Sequence, residues 1–273
     1  MKKRDKILIL SLTVVLIVAI LGTIWYYGSY EMQNGQKTGE ERLLVYAGAG
    51  LKPVMDEIAD KFEDKTGVTV DVIYGGSGHL FGQISLSQRG DIFIPAAEYY
   101  TRRAIEEGLV YKDLTKDIAY HVPCIIVQKG NPKGITSLED LSRSDVTVAL
   151  GNADQCAIGL ISKEILERQG LYDIIREKNL KVETATVNEL LTYVSMGIAD
   201  AAIVWTDNVG TLVDDDKVEI IEIDPAKNII ETIPASVTRC TKNLDTAKEF
   251  LDFITSEEGI RIWEEKGFKP ISV

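Results

Sequence analysis

Reactive side chains are scarce in this chain. Its 273 residues hold two histidines, His79 and His121, and three cysteines, Cys124, Cys156 and Cys240. Three scattered cysteines make no disulfide framework, although one bridge stays open and spacing does not assign it. Cys124, inside the apolar run VPCIIV, reads as a small buried hydrophobe. No GxSxG, HExxH or P-loop lysine motif occurs. Without a visible nucleophile–base pair, an enzyme is set aside. Internal repeats and low-complexity tracts are missing too.

Positive charge is the next shortage. The chain has 30 Lys and Arg against 42 Asp and Glu, a net charge of −12. Five cations against three carboxylates leave residues 1–40 at +2, so the remainder carries −14. An acidic body of this kind argues against a nucleic-acid partner. It also offers an anion no long-range attraction.

What the chain does have begins at its N-terminus. Lys2, Lys3, Arg4 and Lys6 precede an uncharged run from Ile7 to Tyr27. At about 1.5 Å per residue that run is long enough to span a bilayer core. The basic flank predicts a cytoplasmic stub over 1–6, and Trp25, Tyr26 and Tyr27 stand where an interfacial belt would. A cleaved signal peptide is the alternative, but no small-x-small site follows the run. No cysteine lies near its end for a lipid anchor. The expectation is an uncleaved single-pass anchor over 7–27 and a polar tether over 28–40. The binding domain would then lie on the extracytoplasmic side.

From residue 41 the pattern alternates. Leu43–Ala47, Val68–Tyr74 and Asp91–Pro95 read as strands. Helical segments follow each, at Lys52–Lys65, Leu80–Gln88 and Tyr99–Glu107. The unit restarts with a strand at His121–Gln128. Further strands are expected at Val146–Leu150, Leu180–Thr184, Ala201–Trp205 and Val218–Ile223. Helices are expected at Ser137–Leu141, Cys156–Gln169 and Val187–Met196. A returning strand at Ile233–Arg239 precedes two last helices, Leu244–Thr255 and Glu257–Lys266, with Ser256 as N-cap between them. This β-α alternation implies an α/β fold with mostly parallel sheets. Two βα sets and a return imply two lobes, 41–121 plus 236–273 and 122–235, with a cleft between them.

Four strand-to-helix turns hold the candidate chemistry. Two are built of glycine and small residues: Tyr46-Ala47-Gly48-Ala49-Gly50-Leu51 and Tyr74-Gly75-Gly76-Ser77-Gly78-His79. The third is Gly151-Asn152-Ala153-Asp154-Gln155-Cys156-Ala157, and the fourth Ala185-Thr186-Val187-Asn188. Such turns let a ligand approach the backbone and aim free N–H groups at it. Each one alone is equally a tight turn or a helix cap. Asp154 in particular reads as an N-cap for the helix that follows.

The stretch VYAGAGLKPVMDEIADKFEDKTGVTVDVIYGGSGHLFGQI resembles the molybdate-binding proteins of ABC transporters. GDIFIPA, IPASV and SEEGIRIWEEKGFKPI resemble them too, in the same order along 41–273. The resemblance implies a two-lobed, type II periplasmic-binding-protein clamshell with no enzymatic activity and no cofactor. It implies a monomer that hands molybdate or tungstate to a permease and its ATPase. Ser77 matches the family's second-loop serine, and Val187 its backbone donor in lobe two. Gly50 replaces the first-loop serine. A small residue of the third loop falls at Ala157, or at Ile158 with the register shifted by one. Trp205 stands where the family has a tyrosine, and an indole donates one hydrogen bond but accepts none. Asp154-Gln155-Cys156 is similar to an Asp-x-Cys stretch of archaeal relatives. That similarity makes Asp154 a candidate carboxylate ligand to the metal centre of the oxyanion.

Three other readings stay beside this one. The ligand could be another anion, sulfate or a phosphate-like one, and a protonated phosphate would need an acceptor that Asp154 could supply. His79, Asp154, Cys156, Met196 and Asp207 are of the types that hold a transition-metal cation, though without a recognisable spacing. A receptor lobe signalling through the anchor would need more cytoplasmic chain than residues 1–6.

Overall fold

The computed structural model describes residues 41–212 and 216–271. The expected stub, anchor and tether over 1–40 lie outside the described residues. No helix among the described residues is long and apolar enough to cross a membrane.

The first sheet opens with β1 (Arg42–Gly48). Its Leu43, Val45 and Ala47 on one face are fully buried and Tyr46 on the other is 2 % exposed, as expected of a strand covered on both faces. Helix α1 (Lys52–Thr66) follows, with a proline in its first turn and Gly67 closing it at φ 72°. That is the proline-in, glycine-out asymmetry of helix ends. α1 buries Val54, Met55, Ile58, Ala59 and Phe62 on one stripe. Filling that stripe contributes about 1.5–3 kcal/mol for each large side chain. β2 (Thr69–Gly75), α2 (Ser77–Ser87), β3 (Ile92–Ile94) and α3 (Glu98–Glu106) complete the opening set.

The chain then runs through β4 (Val110–His121) and crosses at Val122 into β5 (Pro123–Gln128). The second set is β6 (Val148–Gly151), α4 (Ala157–Arg168), α5 (Tyr172–Lys178), β7 (Leu180–Thr184), α6 (Val187–Ser195), β8 (Ala201–Trp205) and β9 (Val218–Glu222). The return is β10 (Glu231–Thr238), then α7 (Leu244–Ile254), α8 (Glu257–Glu265) and β11 (Lys269–Pro270). The Ser256 hydroxyl caps α8 by accepting from the Gly259 N–H. β10 pairs with β4 from Glu231 onward, five residues before the expected boundary at 236. Phe62 of α1 meets Phe250 of α7 edge to face at 5.0 Å, fixing these helices on one face of the first sheet.

The strand orders are β11-β4-β10-β3-β1-β2 and β7-β6-β8-β5-β9. The expectation of mostly parallel sheets needs correction. β1 pairs with β2 and β3, and β6 with β7 and β8, all parallel. Every pairing of β4, β5 and β10 is antiparallel. The physical reason is connectivity: β5 and β10, the first strand after each crossing, run against the βα units of the sheets they enter. In each sheet the parallel strands stand together and deliver their carboxyl ends to one edge, where the four turns lie.

Candidate functional site

Four helical starts meet at one small cavity. Its lining comes from Gly48, Ala49 and Gly50 after β1, and from Gly75, Gly76 and Ser77 after β2. Cys156, Ala157 and Ile158 open α4, and Thr186 and Val187 open α6. Ala96, between β3 and α3, and Trp205, at the end of β8, complete it. The structure thus brings Gly50, Ser77, Ala157, Val187 and Trp205 to one cavity. The space open to the centre of a water-sized sphere is about 20 Å³, above the roughly 10–15 Å³ that one water needs. No lining residue carries a charged side chain.

Each turn has a local reason for its shape. Gly76, just before α2, lies against the backbone carbonyls of Ala185 and Gln155 from the second sheet, and a Cβ there would collide with both. The Gly78 N–H donates to the Gln155 carbonyl at 3.0 Å, joining the two sheets beside the cavity. Ser77 is 1 % exposed, and its hydroxyl oxygen accepts from the Ala96 N–H at 3.0 Å. With an oxygen lone pair engaged there, the hydroxyl proton is free to donate. At the start of α6, Glu189 accepts from the Thr186 N–H at 2.9 Å and the Ala185 N–H at 3.0 Å. This capping box turns the nearest carboxylate to the helix end.

Cys156 is the N-cap of α4, and burial pushes its thiol up to about 11. It therefore presents a neutral sulfur to the cavity at neutral pH. Trp205 stacks on His121 with ring centroids 4.3 Å apart and planes 17° apart. His121 Nδ1 lies 3.1 Å from the Ala96 carbonyl, and Nε2 lies 3.2 Å from Asp207 Oδ1. Both side chains are buried, at 0 % and 6 % exposure.

Asp154 does not join the lining. It is exposed, and its N–H donates to Asn152 Oδ1 at 3.0 Å within the turn. Nor is it the cap of α4, since Cys156 holds that position without a side-chain cap bond. The residues weighed for a cation do not gather either. His79 is exposed and Met196 is 68 % exposed, while Asp207 faces His121. Among the described residues no three His, Cys, Asp or Glu side chains stand together as a metal site. The three cysteines are free.

Ala96 escaped the sequence reading, although Pro95-Ala96-Ala97 after a strand repeats the small-residue signature of the other turns. Asn208, fully buried in the 3-10 turn Thr206–Asn208 behind Trp205, left no such signal.

A family model for bacterial extracellular solute-binding proteins matches residues 43–269. The chain belongs to this family. Among curated relatives of this solute-binding protein, a binding protein of Haemophilus influenzae is 30 % identical over 228 residues, covering 84 % of this chain and 91 % of the relative. The molybdate-binding protein ModA of Mycobacterium tuberculosis is 26 % identical, with 86 % and 88 % covered. A solved substrate-binding domain assigned to a molybdenum ABC transporter of Clostridium difficile is 31 % identical with a TM-score of 0.62, covering 85 % of this chain and 99 % of that one. The sulfate-binding protein SubI of M. tuberculosis shares the fold at a TM-score of 0.75 and 19 % identity, with 85 % and 88 % covered. The fold is the two-sheet α/β fold of periplasmic binding proteins.

Proposed function

We propose that this solute-binding protein captures a tetrahedral oxyanion, molybdate or tungstate, and delivers it to an ABC permease and its ATPase. The observation that carries the reading is a cavity ringed by four helical starts and free of charged side chains. A fully deprotonated dianion needs donors only, and helix N-termini supply N–H groups with partial positive charge. The donors in this reading are the backbone N–H groups of Gly50, Ala157 and Val187, the Ser77 hydroxyl and N–H, and the Trp205 indole. Charge-assisted bonds contribute about 1.5–3 kcal/mol each. About five of them, less ordering and desolvation, reach sub-micromolar affinity. Hydrogen phosphate carries a proton that wants an acceptor carboxylate, and the lining has none. The relatives named for molybdate support the same choice.

In this reading two lobes, one around each sheet, close on the anion, and the chain crosses between them near Val122 and again between Glu222 and Glu231. The protein acts by binding, not catalysis, as a monomer. Residues 7–27 hold it to the membrane with the lobes on the extracytoplasmic side. Alkaline carbonate should leave the full chain in the membrane fraction, and its release would argue against the anchor.

Calorimetric titration with molybdate, tungstate, sulfate, phosphate and divalent metals tests the ligand. Heat and a change in tryptophan fluorescence are expected with molybdate and tungstate. Silence with both would sink the oxyanion reading. A response to a divalent metal in place of them would revive the cation.

A further inference from the structure

We infer that Asn208 is a positioning residue that latches the cavity shut and requires glycine at position 50, an inference that takes its ligand from the oxyanion reading. Asn208 follows β8 of the second sheet, and Gly50 follows β1 of the first. The Asn208 Nδ2 donates to the Gly50 carbonyl at 3.0 Å and to Asp207 Oδ1 at 3.1 Å. Two acceptors on the nitrogen fix which way the amide points. Its oxygen is then left buried with no hydrogen-bond partner. An amide oxygen without a donor costs stability, which offsets part of what the two Nδ2 bonds contribute to the fold.

What the amide does is visible at Gly50. A Cβ built there would stand 2.5 Å from Asn208 Oδ1 and 2.9 Å from Val187 Cγ1. The place of a first-turn side chain is thus filled from the opposite sheet. The turn gives up a side-chain donor and gains a bond that ties its carbonyl to the second sheet. Asp207 holds the amide from behind and itself lies 3.2 Å from His121 Nε2 at the chain crossing. The latch therefore runs from the crossing strand through Asp207 and Asn208 to Gly50. On the other side of the cavity the Gly78–Gln155 backbone bond makes the matching clamp. Asn208 is absent from the lining itself, so it acts through Gly50 and Val187.

The test uses molybdate as the probe and three variants of the full chain: Asn208→Ala, Gly50→Ser, and both together. Asn208→Ala removes the latch, and about tenfold weaker binding is expected, carried mainly by faster dissociation. Gly50→Ser restores a hydroxyl but collides with the amide, so it too should bind more weakly than the parent. The double variant removes the closer of the two collisions, leaving only the Val187 methyl at 2.9 Å to give way, and should bind more tightly than Gly50→Ser alone. A residue that merely supports the fold would show no such rescue. Tighter binding by Gly50→Ser, or an unchanged dissociation rate in Asn208→Ala, would overturn the latch. Should Asn208→Ala fail to fold, the Gly50→Ser result decides by itself. Should the parent not bind molybdate, the oxyanion reading fails while the latch is still judged by small-angle scattering. A more extended Asn208→Ala protein supports the latch, and a profile identical to the parent's rejects it.

Discussion

Ser77 shows how one hydroxyl is oriented at the candidate cavity. Its oxygen is occupied by the Ala96 N–H, so its proton can only be given away. Ser77→Ala removes that donor and strands a buried backbone N–H as well. About ten- to hundredfold weaker molybdate binding is expected from calorimetry, on the scale of one charge-assisted bond. Retention of parental affinity would take Ser77 out of the site. Cys156 carries a second residue-level expectation. Burial raises its thiol from 9.0 to about 11. Between those values the folded chain holds a proton that the unfolded chain releases, so stability falls as pH rises. The contribution is fully present below pH 9 and lost as pH passes about 11. Cys156→Ala should flatten that part of the alkaline stability curve, read by urea unfolding at stepped pH. An unchanged slope would mean that the thiol is not buried as described.

At the scale of elements, the turn between β2 and α2 is where closeness is built in. Gly76→Ala would push a methyl against the Ala185 and Gln155 carbonyls while leaving each sheet intact. Near-parental melting of the ligand-free protein is expected together with loss of anion binding. Parental affinity would show that the turns part more easily than the structure implies. Elements of this kind were legible from sequence where periodicity and punctuation agreed. β7, β8 and the capped starts of α6 and α8 fall where alternation, an apolar run or a cap residue places them. β4 was not legible, because YKDLTKD mixes exposed and half-buried positions without a clean period of two. α5 was missed because seven residues are too few to show a helical stripe. The turns that gather at the candidate cavity were legible as glycine and small-residue runs. Asn208 was not, since a buried amide reaching across from the other sheet depends on tertiary contact alone. An acidic residue before a helix, such as Asp154, carries the same local signal whether it caps, binds or faces water.

For the whole molecule, the −14 borne by residues 41–273 opposes the approach of the dianion proposed as ligand. Salt screens that repulsion over about 10 Å at 0.1 M. The association rate for molybdate should therefore rise with ionic strength while dissociation stays nearly constant, as stopped-flow fluorescence would record. An association rate that falls with salt would reveal a local positive field stronger than the global negative one. The cavity's neutrality has a different consequence. Cys156 is its one ionisable lining residue, and it holds its proton through the neutral range. Between mild acid and mild alkali the lining itself offers the same set of donors. For the oxyanion proposed as cargo, such a lining makes the anion's own protonation state a criterion of capture.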